Sequence, residues 1–135
     1  MKRILLNAGK GRTKVSLAAQ WIGKDLIVCL FNGQAHLGAV AVADFCREEN
    51  RASTSVITRL GHKDDAVASN AAHKLCRKYK RPVCAIAGIH LDAITEPEIA
   101  EIIRNCDVLV DRLAKQKAVS RQLSATNDCR PPTTD

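Results

Sequence analysis

With 135 residues and 46% hydrophobics, the chain is long enough for one domain with its own core, and no run of about 18 apolar residues offers a membrane span. Twenty-one basic residues against 14 acidic ones leave a net charge of +7, which favours anionic partners such as phosphorylated ligands, an acidic protein or nucleic acid. Aromatics at 3% provide no stacking platform for single strands, which weighs against nucleic acid.

The opening "MKRILLNAGKGRTK" is basic, with a short apolar patch and no small-residue cleavage site. It does not read as a signal peptide, and a cytoplasmic location is expected. "KVSLAAQWI" alternates Val15, Leu17, Ala19 and Trp21 with more polar partners, the period of a strand. "DLIVCLFNGQAHLGAVAVA" holds two apolar runs around Asn32-Gly33, a strong hairpin signal. A two-residue loop there sets Phe31 opposite Gln34 and Cys29 opposite His36. "DFCREENRA", 44–52, is polar and reads as a loop.

"STSVITRL" is β-branched and predicts a strand, followed by a helix from about Asp64 to Lys80. Ala68, Ala71, Ala72, Leu75 and Tyr79 form its apolar stripe, and Pro82 closes the segment. "VCAIAGIH" is apolar on both parities, as expected of a central strand covered on both faces. In the last helix, Thr95 and Glu98 make a capping box, and Ile94 with Ile99 can form a hydrophobic staple. Its stripe is Ile99, Ile102, Ile103, Cys106, Leu109, Val110 and Leu113. After Lys117 the period fades, so residues 1–117 read as a single α+β domain and 118–135 as a mobile tail. The expected fold is a mixed, mainly antiparallel β-sheet with two main helices packed on it. The strands flanking the first helix are expected to be parallel neighbours joined by a right-handed crossover.

Two histidine–acid motifs stand out. In "GHKDD", Gly61, His62, Lys63, Asp64 and Asp65 sit at a strand-to-helix turn, where free backbone N–H groups can hold an anion. Arg59 and Lys63 add charge, and Ser53, Thr54 and Ser55 add hydroxyls. The plain alternative is that Asp64 or Asp65 only caps the helix. In "AGIHLD", His90 and Asp92 lie at the end of the apolar strand, on the face of Ile86 and Gly88. Gly88 has no side chain to bar a close approach, while His90 can equally be a hydrogen-bonded strand-end residue.

If the two motifs share a sheet edge, their histidines and carboxylates could bind a metal or act as acid and base, although no helical H-x-x-x-H supports a metal. His36 opposite Cys29 could in principle activate a thiol, but packing is the simpler reading. His73 falls on the polar face of its helix and is expected to be solvated. None of the six cysteines forms a C-x-x-C pair, and reduced, mostly buried thiols are expected. No nucleophile elbow, phosphate loop or dinucleotide fingerprint occurs.

"GQAHLGAVAVAD", "STSVITRLGHKDDAVA" and "VCAIAGIHLDAIT" together resemble the prenylated-flavin chaperone-like family, the small D subunit that accompanies gallate-type decarboxylases. The similarity runs over roughly residues 12 to 113, and "GHKDD" and "AGIHLD" are its most specific parts. The resemblance implies a fold similar to that of proteasome-assembly chaperones, commonly dimeric. It also implies an accessory protein, itself no enzyme, that binds prenylated FMN (or FMN) and helps mature a prenylated-FMN-dependent decarboxylase. The matching positions are Gly61, His62, Lys63, Asp64, Asp65, His90 and Asp92, with Ser53, Thr54 and Ser55 in support. A flavin phosphate would suit Arg59 and Lys63, and its ring system a flat approach at Gly88. Asp64 and Asp65 would repel that phosphate, so they suit a flavin N–H, a ribityl hydroxyl or the partner protein better. The rival readings are a cofactor-free protein assembly module and a small acid–base enzyme.

Overall fold

The computed structural model describes residues 2–59 and 64–118. In chain order the elements are β1 (Arg3–Ala8), β2 (Val15–Ile22), β3 (Asp25–Phe31), β4 (Ala39–Cys46), β5 (Arg51–Thr58), α1 (Asp65–Tyr79), β6 (Val83–Gly88) and α2 (Glu96–Ala114). The strands form one sheet in the order β1-β2-β3-β6-β4-β5. Among the described residues only the β3–β6 pair is parallel. The fold is thus the mixed, mainly antiparallel α+β sheet with two helices that the pattern predicts.

Both helices lie on one face of the sheet. Leu17, Leu30, Ala87 and Ala39 stand side by side in register on that face, all buried. Under α1, Ala68, Ala71 and Ala72 meet a sheet lined by Ala39, Ala41, Ala43, Ala85 and Ala87, and small residues on both sides let the helix sit close. Under α2, Leu109, Val110 and Leu113 join the same core as Val15 and Leu17. Each such leucine contributes about 1.5–3 kcal/mol by leaving water. Asn70 Nδ2 donates to Asp107 Oδ1 at 2.9 Å and Lys74 Nζ to Asp111 Oδ1 at 3.0 Å, tying the two helices together.

Several expectations need correction. Asn32-Gly33 does not turn a hairpin, because β6 inserts between β3 and β4. Phe31 stands opposite Gly88 and Cys29 opposite Ile86, not opposite Gln34 and His36. The apolar run of β6 buries best in the middle of the sheet, and pairing there on both sides satisfies its backbone. For the same reason β5 and β6 point the same way but are not neighbours, since β4 lies between them. The polar stretch 44–52 is not all loop. β4 continues through Cys46 and β5 begins at Arg51. Asp44 and Ser53 are paired and exposed, so their polarity marks a strand face in water rather than a loop. β1 is an edge strand that the basic opening concealed.

β6 is covered on one face only. Opposite the helices, the sheet presents Leu5, Ile22, Val42 and Ile57 at 60%, 50%, 49% and 73% exposure. Cys29, Cys84, Ile86 and Val40 lie partly buried among them. Apart from the crossing of the 32–38 loop at Gly88, this face is open among the described residues, and no helix among them is long and apolar enough to cross a membrane.

Candidate functional site

The parallel strands β3 and β6 end side by side at Phe31 and Gly88, and β4 begins at the same edge, with Ala39 opposite Ala87. Two loops, 32–38 and 89–95, leave this edge and are clamped together. Asn32 Nδ2 donates to His90 O at 2.8 Å, and His90 N donates back to Asn32 Oδ1 at 3.3 Å. Asn32 therefore acts as a side-chain copy of a strand backbone, which is where its turn chemistry is used.

The first loop crosses directly over Gly88. A Cβ built on Gly88 would fall on the His36 carbonyl oxygen, and one on Gly38 would fall on Asp64 Oδ2. Both glycines are required by close approach. Gly38 N donates to Ala87 O at 3.0 Å, and Arg59 N donates to Gly38 O at 3.0 Å. The Arg59 guanidinium donates to Leu37 O at 2.9 Å, so Arg59 straps this loop to the sheet.

Asp64 is the hub. It is only 8% exposed, a buried carboxylate in a protein whose other buried residues are almost all apolar. Its Oδ1 accepts from Ile89 N at 3.2 Å, and its Oδ2 faces His36 Nε2 at 3.4 Å. His36 Nδ1 in turn donates to Gln34 O at 3.0 Å. Asp64 occupies the N-cap position of α1, yet its side chain makes no capping bond. The cap-only reading is set aside by that geometry: the carboxylate holds the end of β6 instead of its own helix.

Beside Asp64 opens a cleft of about 350 Å³ between the first turns of α1 and α2. His36 and Asp64 form its polar end, and Ala66, Val67, Ile89, Leu91, Ile94, Ile99, Ile102 and Ile103 its apolar walls, with His90 at the rim. Ile94, Ile99 and Ile103 are 41%, 38% and 46% exposed, so the apolar stripe of α2 is wider than its core contact needs. Such a slot, apolar with few convergent polar groups, is in the size range of small-molecule sites. An apolar ring system bearing N–H groups fits this donor set: walls of isoleucine and one buried carboxylate able to accept.

His90 and Asp92 are set apart from that hub. His90 Nε2 donates to Asp92 Oδ1 at 3.0 Å, both side chains well exposed. They sit in the loop after β6, since the strand stops at Gly88. Arg12 fixes this loop by donating to Asp92 O at 2.8 Å while its Nε holds Glu98 Oε2 at 2.7 Å. The Arg12 hydrogen bond and the Thr95 backbone N–H hold the Glu98 carboxyl down at about 2. The capping box is present, with Glu98 N donating to Thr95 Oγ1 at 3.3 Å and Thr95 N to Glu98 Oε1 at 3.1 Å.

Among the described residues the two sequence motifs meet where Ile89 N donates to Asp64 Oδ1. Gly61, His62 and Lys63 lie outside the described residues. Asp65 is exposed in the first turn of α1. Ser53 and Ser55 are exposed on β5, while Thr54 Oγ1 meets His73 Nδ1 at 3.0 Å. That contact corrects the solvated reading of His73. His36 is the residue that sequence reasoning misplaced, since it depended on a hairpin that does not form. The described cysteines, 29, 46, 76, 84 and 106, are free. Burial pushes the Cys76 and Cys106 thiols up to about 11 and about 12, so both stay protonated at neutral pH. No group of three or more His, Cys, Asp or Glu side chains able to hold a metal occurs among the described residues.

The fold has a solved relative at low sequence similarity. A chain from the crystal structure of a novel chaperone complex for yeast 20S proteasome assembly aligns with a TM-score of 0.57 and 15% identity, covering 83% of this chain and 94% of that one. No curated protein matches the sequence significantly. The family model of the prenylated flavin chaperone LpdD-like domain matches residues 9–118, which takes in the whole sheet after β1 and both helices. The chain belongs to the LpdD-like prenylated flavin chaperone domain family.

Proposed function

We propose that the protein is a cytoplasmic, non-catalytic accessory chaperone that binds prenylated FMN in the isoleucine-walled cleft and helps mature a prenylated-FMN-dependent, gallate-type decarboxylase. The single observation that carries this reading is the buried Asp64 at the polar end of an otherwise apolar slot. A desolvated carboxylate is costly unless donors face it, and a flavin N–H or ribityl hydroxyl adds one. The isoleucines suit the ring system and its prenyl-derived addition, and plain FMN would bury less of that wall. When bound, the flavin supplies its redox and cycloaddition chemistry to the client enzyme. In this chain Asp64 orients the ring, Ile99 and Ile103 exclude water from it, and Asn32 with Arg59 keeps the rim in place.

A second copy is proposed as the occupant of the open sheet face. Leu5, Val42 and Ile57 make an apolar strip that two copies can bury symmetrically. The stretch after Ala118, "VSRQLSATNDCRPPTTD", is mostly polar and suits that role poorly. The test of function is maturation of the client. An apo-decarboxylase mixed with prenylated FMN should gain activity faster or further with the wild-type chaperone than without it, and Asp64→Ala should lose that gain. Equal activation with and without the protein, at any ratio, would leave the cofactor-free assembly module as the better reading. Turnover of a phenolic acid by the protein alone would favour the acid–base enzyme.

A further inference from the structure

On the other side of the His90–Leu91 loop lies a second cavity, of about 470 Å³. Its lining includes Arg12, Lys14, Ser16, Phe31, Asn32 and His90, and no carboxylate belongs to it among the described residues. His90 and Leu91 line this cavity and the isoleucine cleft alike, so the two adjoin at that pair of residues. Their chemistry is opposite. The cleft is apolar with a buried carboxylate, and the second cavity is basic.

We infer that the basic cavity is the phosphate subsite of the same ligand, with Lys14 as its principal charge. This rests on the flavin reading of the cleft. A flavin mononucleotide has an apolar ring at one end and a dianionic phosphate at the other, joined by a polyol. Asp64 and Asp65 repel a phosphate at the start of α1, and the Arg59 guanidinium is engaged with Leu37 O. Arg12 is spent on Glu98 and Asp92 O, which makes it a fixed wall whose charge is largely matched. Lys14 is exposed, and no ion-pair or hydrogen-bond partner engages its ammonium among the described residues. An ammonium serves phosphate as a mobile point charge. The polyol then passes His90, whose ring stands at the border of both cavities.

The test compares prenylated FMN with its dephosphorylated counterpart, prenylated riboflavin, in anaerobic titrations followed by flavin absorbance. Lys14→Ala and Lys14→Glu should weaken the phosphorylated form roughly tenfold or more. Both should leave the dephosphorylated form unchanged, and Lys14→Arg should restore most of the loss. Arg59→Ala serves as the comparison and should not discriminate between the two forms. If Lys14 variants bind both forms as the wild type does, or lose both alike, the phosphate subsite is overturned while the cleft stands. If the wild type binds the two forms with equal affinity, the subsite is overturned as well. If it binds neither form, the reading of the cleft itself falls and this one with it.

Discussion

The His36–Asp64 pair has side chains only 24% and 10% exposed, whereas His90–Asp92 stands at 54% and 83%. The residue types are the same, and both pairs sit at the same edge of the sheet. What separates them is solvent. Asp64 also holds Ile89 N and lies against Gly38, so its pair is built into the backbone of two loops. His90 and Asp92 are two residues apart in one loop and meet in contact with solvent, where such a pair is worth little. Proximity in the sequence marks the weaker pair, and burial marks the stronger one. A carboxylate kept out of water beside an apolar slot is the feature on which the proposed ligand site rests.

The largest effect should come from removing the space on which the buried pair depends. Gly88→Ala drives a methyl into the His36 carbonyl and should cost about 3 kcal/mol or more in urea unfolding. A loss below about 1 kcal/mol would mean the 36–38 crossing is loose. Asp64→Ala leaves the Ile89 N–H unpartnered and should cost about 1–3 kcal/mol. Asp64→Asn keeps an acceptor for that N–H and should be milder. Equal losses for the two would assign the stability to the His36 contact instead.

Acid should act at the rim rather than at the hub. The Glu98 carboxyl, held at about 2 against an ordinary 4.5, contributes stability that is fully present above 4.5. That contribution is lost as the pH falls from 4.5 towards 2. Urea midpoints measured down this range should drop more in the wild type than in Glu98→Gln. Parallel profiles would remove Arg12–Glu98 from the forces that fix the His90 loop. The smallest effect is expected for His90→Ala, within about 0.5 kcal/mol of wild-type stability. A larger loss would place His90 on a level with His36 and erase the contrast between the pairs.

Much of the scaffold was legible because local signals agreed with the fold. The 3.6-residue stripe of α1, the Thr95–Glu98 capping box and the alternation of β2 all name their own elements. Strand order was not legible, since Asn32-Gly33 has hairpin chemistry and nothing local reports that β6 will enter between β3 and β4. The site was half legible. The motifs pointed to Asp64 and to the edge after Gly88, but His36 reaches Asp64 only through a crossing that the sheet order creates. A helical stripe does not reveal where the core ends and a cleft begins, so Ile99 and Ile103 carry the same sequence signal as the core residues beside them. Arg12 lies far from Glu98 in sequence, and no pattern links them.

The most direct test of the central claim is an anaerobic titration of prenylated FMN into the wild type and into Ile103→Trp. Residue 103 is half exposed on the cleft wall, so the indole should fill the slot without disturbing the core. Saturable binding by the wild type, with at least a tenfold loss in Ile103→Trp at unchanged unfolding stability, is the expected result. Binding that Ile103→Trp leaves untouched would place the flavin elsewhere, and the buried Asp64 would then be a structural clasp alone.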